Sequence, residues 1–237
     1  MRIGPLAGVL LCLGCGARTG LEADGPVAVC GDGIVQAGEA CDPGGADGGV
    51  CPSYLVTQNG QTRGVVPVER SRSALAFYSY TSKSAHTGFE ALGASRLFLY
   101  VDATAGALSL FTEHGIDIDS TGIAQPASTV VQRFTKLPEG TFLAITDDYP
   151  KEISMSSPTS AIGTWQFEQN TDGTIFSGLP GDGAFAIDVA SDFQVGIDTW
   201  TYVDHDGTFL RLELDAVATV ERRYVPCGCG PDCTTLP

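Results

Sequence analysis

Leu97-Phe98-Leu99-Tyr100-Val101-Asp102, then Ala103-Thr104-Ala105-Gly106, then Ala107-Leu108-Ser109-Leu110-Phe111-Thr112, is the stretch whose reading decides the fold. Leu97, Leu99 and Val101 alternate with Phe98, Tyr100 and Asp102. Successive side chains of an extended chain point to opposite faces, so the alternation reads as a strand rather than a helix. The interval that ends in Gly106 is short enough for a hairpin, and Leu108 and Leu110 resume the period-two pattern towards the polar Thr112. The spacing predicts paired strands over 96–103 and 107–113.

The same alternation recurs on both sides of this hairpin, over 62–69, 74–81, 129–136, 141–147, 163–169, 183–190, 197–204, 208–214 and 217–225. Trp165 and Phe167 alternate with Thr164, Gln166 and Glu168, so one face packs while the other is wet. Trp200 and Tyr202 run into Asp204-His205-Asp206-Gly207, a turn signal, and Phe209 opens the strand beyond it. Long helical periodicity is absent from the sequence. Short strands punctuated by turns predict an all-β fold, an antiparallel two-sheet sandwich of immunoglobulin-like or jelly-roll type, with a barrel as the alternative. Trp165 and Trp200 are expected to anchor its core.

The amino terminus carries a different kind of information. Met1 and Arg2 precede an uncharged run from Ile3 to Leu13, then Gly14 and Cys15, which is the layout of a secretory signal. The run is too short to span a bilayer, which takes ~20 apolar residues. Leu11-Cys12-Leu13-Gly14-Cys15 resembles the bacterial lipoprotein signal: Gly14 and Cys15 match it, whereas Cys12 stands where that family prefers Leu and Leu13 where it prefers Ala or Ser. The resemblance implies lipid on Cys15, attachment to a membrane through acyl chains, and an address in the cell envelope, at the outer membrane. An ordinary secretory signal with an incidental cysteine is the other reading. Both export the chain.

Export sets the chemistry of the remaining cysteines. Cys30, Cys41, Cys51, Cys227, Cys229 and Cys233 are even in number, and in an oxidising compartment they are expected to form disulfides. Cys30-Gly31-Asp32-Gly33, with Val35, Gly38, Glu39, Cys41, Asp42 and Gly44, resembles the Myxococcus cysteine-rich repeat of exported proteins. That family usually ends in two closely spaced cysteines, whereas only Cys51 follows here. Three cysteines lie at each end of the chain, so full oxidation requires at least one bond between the ends, predicting a small disulfide-rich cap. Such a bond is worth on the order of 5 kcal/mol in the chain-entropy account. A zinc site on Cys227-Gly228-Cys229-Gly230-Pro231-Asp232-Cys233 is the competing reading, although structural zinc sites favour paired Cys-x-x-Cys knuckles. The expected organisation is a signal and anchor over 1–15, a linker over 16–29, a cysteine-rich segment over 30–51, the sandwich over 52–226 and a cysteine-rich tail over 227–237.

Lys and Arg total 13 against 28 Asp and Glu, a net charge of −15. That balance repels phosphate backbones and anionic lipid surfaces, and argues against nucleic acid as a partner. No Gly-x-Ser-x-Gly elbow, phosphate-cradling loop, His-Glu-x-x-His or dinucleotide fingerprint occurs in the sequence. His86, His114 and His205 stand among polar or turn-forming neighbours and read as solvated loop residues. The acidic groups Glu113, Asp117 and Asp119, and Asp204 with Asp206, are candidate calcium ligands, as are Asp32, Glu39, Asp42 and Asp47, and more weakly Asp147-Asp148. No other cofactor is expected. The composite expectation is an exported, lipid-anchored surface protein, a non-catalytic binding or structural module with an envelope protein or glycan as partner. The alternative is a secreted hydrolase or carbohydrate-active domain, which would need a deep cleft holding two facing carboxylates or a His–acid pair.

Overall fold

The computed structural model describes residues 50–124, 126–146 and 152–226. Its strands are β1 (Val50–Gln58), β2 (Gln61–Val65), β3 (Val68–Arg70), β4 (Ala94–Asp102), β5 (Ala107–His114), β6 (Ser128–Thr135), β7 (Phe142–Thr146), β8 (Ile153–Ser157), β9 (Ser160–Phe167), β10 (Asp172–Leu179), β11 (Phe185–Val195), β12 (Thr199–Val203), β13 (Phe209–Leu212) and β14 (Ala218–Pro226). Two short helices, α1 (Ala74–Tyr78) and α2 (Ile118–Thr121), complete it. The strands form two seven-stranded sheets, and the protein is an all-β two-sheet sandwich. The first sheet runs β2-β1-β14-β11-β6-β9-β8, and the second runs β13-β12-β4-β5-β10-β7. Both sheets keep open edges, so the barrel alternative falls.

The hairpin of β4 and β5 forms as its sequence dictates. Asp102 accepts from Thr104 N at 2.8 Å through its side chain and from Gly106 N at 2.7 Å through its carbonyl, and Gly106 takes a φ of +65° that favours glycine. Leu97, Leu99, Leu108 and Leu110 turn towards the first sheet and join Trp165, Trp200, Phe134 and Val220 in the main core. Phe98, Tyr100 and Phe111 turn the other way, into a second core with Phe77, Tyr78 and Val203. The second sheet is therefore covered on both faces, and β4 is apolar on both faces for that reason. A partly polar link joins the sheets inside the main core: Thr112 Oγ1 donates to Gln132 Oε1 at 2.9 Å, and Gln132 Nε2 donates to Ser191 Oγ at 2.9 Å.

The covering layer corrects one sequence expectation. Residues 74–81 are no strand; Ser73 caps α1 by accepting from Ala76 N at 3.2 Å, and Phe77 and Tyr78 drop onto the sheet. The run 62–69 is two strands, since the chain leaves the first sheet at Val65, passes Pro67 and joins the second sheet as β3. β3 and β12 both pair with β4 in parallel, at opposite ends of the same edge, so the second sheet is mixed. Strands β1, β8 and β10 were not expected from the sequence.

Across the outer face of the first sheet the register aligns one residue from every strand: Thr62, Thr57, Thr219, Asp188, Thr135, Ser160 and Ser157. Thr57 and Thr62 hydroxyls meet at 2.9 Å, Thr219 donates to Asp188 at 2.8 Å, and Lys136 pairs with Asp188 at 2.7 Å. β1 and β14 pair from Val50 with Pro226 to Thr57 with Thr219, so the chain enters and leaves this body at one end of one strand pair. The expectations for Cys15, Cys30, Cys41, Cys227, Cys229, Cys233 and Asp147-Asp148 lie outside the described residues. Cys51 is in β1, opposite Val225.

Candidate functional site

Three of the buried charged residues, Arg96, Glu113 and Asp117, lie where residues 79–93 cross the outer face of the second sheet between α1 and β4. The segment begins with Ser79 in the left-handed region (φ +51°), and Ser82 and Lys83 follow it there (φ +53° and +64°). Each such non-glycine residue costs on the order of 1 kcal/mol or more. Phe89 seats the segment on the second core, 5.4 Å from the Phe98 ring and 6.1 Å from that of Phe77. Arg96, reaching out from β4, donates Nε to Phe89 O at 3.0 Å and Nη1 to Thr201 Oγ1 at 2.9 Å.

Beneath the segment lies Glu113, fully buried on β5 and in register with Arg96 of β4 and Gly173 of β10. Thr87 Oγ1 is 2.7 Å from Glu113 Oε2 and 3.1 Å from Glu90 Oε1. A hydroxyl has one proton to donate, so both contacts are hydrogen bonds only if one carboxyl carries a proton of its own. Glu90 also accepts from Thr87 N and, at 2.8 Å, from Gly88 N. Burial, and then the neighbouring charge of Glu90, push Glu113 up to about 8. Glu113 is thus the proton carrier at neutral pH. Its Oε1 has no hydrogen-bond partner among the described residues.

Two histidines flank this pair. His86 Nε2 meets Asp117 Oδ2 at 3.0 Å, and His86 Nδ1 meets Ser79 O at 3.0 Å, so both ring nitrogens are engaged in holding the segment. His114 is no solvated loop residue: β5 extends through it, and its ring is fully buried 4.8 Å from the Trp165 ring. Ser95, its partner on β4, places Oγ 2.9 Å from Nδ1, and burial lowers the ring to about 3, leaving it neutral. His86 is part-buried rather than solvated, while His205 is exposed as expected.

A cleft of about 250 Å³ opens beside the segment, lined among others by His86, Glu90, Ile116, Asp117 and Thr121. It falls below the ~300–1,000 Å³ of ordinary small-molecule sites. The carboxyl of Glu113 sits beneath Thr87 with no solvent exposure. The candidate ligands Glu113 and Asp117 are committed to Thr87 and His86, and the side chain of Asp119 lies outside the described residues. Asp204, His205 and Asp206 bring ligand atoms within 4.8 Å of one another on an exposed tip. There Asp204 Oδ1 accepts from Val66 N at 2.7 Å and His205 N at 2.8 Å, and Asp206 accepts from Thr208 N at 2.8 Å, contacts that close the turn. No protein family, curated protein or solved structure matches the chain.

Sequence reasoning singles out Glu113 and Asp117, as calcium ligands, reads His86 and His114 as solvated loop residues, and misses Thr87, Glu90, Ser95 and Arg96. The available signal was the two-faced apolar run of β4, which demands a third layer over Phe98 and Tyr100.

Proposed function

We propose that this protein is exported, is held at the outer membrane by lipid on Cys15, and uses its sandwich as a non-catalytic binding or structural module. One observation carries the non-catalytic part: the acid–base groups that a hydrolase would use are tied up with one another and with the backbone, and the cleft that His86, Glu90 and Asp117 line holds only about 250 Å³. Glu113 is buried beneath Thr87, and both nitrogens of His86 are engaged with Asp117 and Ser79. General acid–base work requires a proton donor or acceptor within reach of the reacting atom. The surface on offer to a glycan or envelope partner is the outer face of the first sheet, with its cross-strand row of hydroxyls around Asp188. The lipid anchor is supported by the run of Gly14 and Cys15 after an uncharged stretch.

Metabolic labelling with a radioactive fatty acid tests the anchor: the full chain is labelled and sediments with membranes, and Cys15→Ala loses the label. Retained label on Cys15→Ala overturns it. Turnover of chromogenic esters or glycosides that falls with Glu90→Gln would overturn the non-catalytic reading, whereas a specific hit on a glycan array without turnover supports binding.

A further inference from the structure

We propose that Ser79–Gly93 is a pH-operated strap, shut over the aromatic face of the second sheet by the proton that Glu113 shares with Thr87 and Glu90, and released when that proton leaves. The closed form needs the proton for the reason already counted: one hydroxyl faces two carboxyl oxygens. Once Glu113 ionises, two negative carboxyls meet across Thr87 inside the protein, and like charges in a poorly solvated site repel. The other ionisable groups around Glu113 do not remove the conflict. Arg96, in register beside it and engaged with Phe89 O and Thr201, keeps its positive charge and offsets part of the conflict, but less than burial and Glu90 act against the ionised form. β10 offers only Gly173 opposite Glu113. On the strap, His86 is turned to Asp117, and His114 projects to the other face of β5, against Trp165.

The strap also carries backbone strain that its release would relieve. Three of the five non-glycine residues with positive φ among the described residues lie in it. Its polar ties to the body run along its length, among them Thr171 N to Ser84 Oγ at 3.2 Å, His86 N to Tyr78 O at 2.8 Å, Arg96 Nε to Phe89 O at 3.0 Å and Ala91 N to Gly115 O at 2.9 Å, and Thr87 with Glu113 stands at their centre. Lifting it withdraws Phe89 from Phe98 and opens the stacked Phe98 and Phe111 rings, 4.7 Å apart, to solvent. The released face is aromatic and apolar, suited to an apolar partner or to dye.

Hydrogen exchange of the full chain, corrected for the intrinsic effect of pH, reads the strap directly. Opening linked to loss of one proton increases about tenfold per pH unit from above the ordinary glutamate range up to pH ~8. Strap amides should lose protection at that rate while those of β4 and β5 hold, and Glu113→Gln should make strap protection independent of pH. Glu90→Gln, which removes the facing charge and keeps the rest, should shorten the pH range over which strap protection falls, because Glu113 then gives up its proton at lower pH and meets no charge across Thr87. The proposal is overturned by strap protection that does not change with pH, by parallel loss across β4 and β5, or by an undiminished response in Glu113→Gln. A response in Glu90→Gln that spans as wide a pH range as in the unaltered chain overturns it as well.

Discussion

Burial acts on Glu113 and His114 in opposite directions, because it disfavours the charged form of each and one is an acid, the other a base. For His114, lowered to about 3 from 6.5, the stabilising contribution is present above pH 6.5 and is lost as pH falls towards 3. For Glu113, raised to about 8 from 4.5, it is present below pH 4.5 and is lost as pH rises towards 8. Between 4.5 and 6.5 the two slopes cancel. Denaturant midpoints should therefore show a plateau in that window, with limbs of about 1.4 kcal/mol per pH unit on either side. His114→Gln should flatten the acid limb and Glu113→Gln the alkaline one; limbs that survive both substitutions would locate the titration elsewhere. Neither burial was legible from the residues themselves. Glu113-His114 at the end of a strand resembles a solvated terminus, and what buries Glu113 is a segment more than twenty positions earlier in the chain.

At the scale of single elements, the sequence yields whatever alternates cleanly. β9 is one such strand, with Trp165 and Phe167 buried and Thr164 and Gln166 exposed, as its period-two pattern requires. Its weak point is Gly163, where an added methyl would run into the Trp165 ring two residues on. Gly163→Ala should lower stability by about 1–3 kcal/mol, the usual cost of overpacking, measurable as a shifted melting midpoint with reduced Trp fluorescence change. An unshifted midpoint would mean that the Trp165 ring has room to move. The strands that escaped notice each break the pattern for a physical reason. β1 contains Pro52, outside the Tyr54–Gln58 stretch that pairs β2. β10 contains Gly173 and Gly178, which read as turn residues; Gly178, at φ +79°, sits where the register with β5 shifts. β8 is a polar edge strand, Ile-Ser-Met-Ser-Ser, with little apolar signal to find. Helix α1 escaped because five residues are too few to set up a helical period, and only the Ser73 cap marks it.

On the scale of the whole molecule, fold class follows from turns and alternation, whereas β4's two apolar faces call for a third layer without saying which segment supplies it. It exists because Phe98, Tyr100 and Phe111 need cover, and α1 with the strap supplies it. Under the lipid anchor proposed above, the pairing of β1 with β14 has a mechanical meaning. Because Val50 faces Pro226 at the same extremity of the pair, tension between the two flanking segments loads the ladder one rung at a time, from there towards Thr57 and Thr219. Peeling of this kind resists poorly. A sulfur bridge between the two cysteine groups would carry the load around β1 and β14, so pulled single molecules should give way early after reduction and hold when oxidised; identical traces would show that no such bridge spans the ends. The outermost pair of rungs, Val50 with Pro226, is thus where tension between the two flanking segments is felt first.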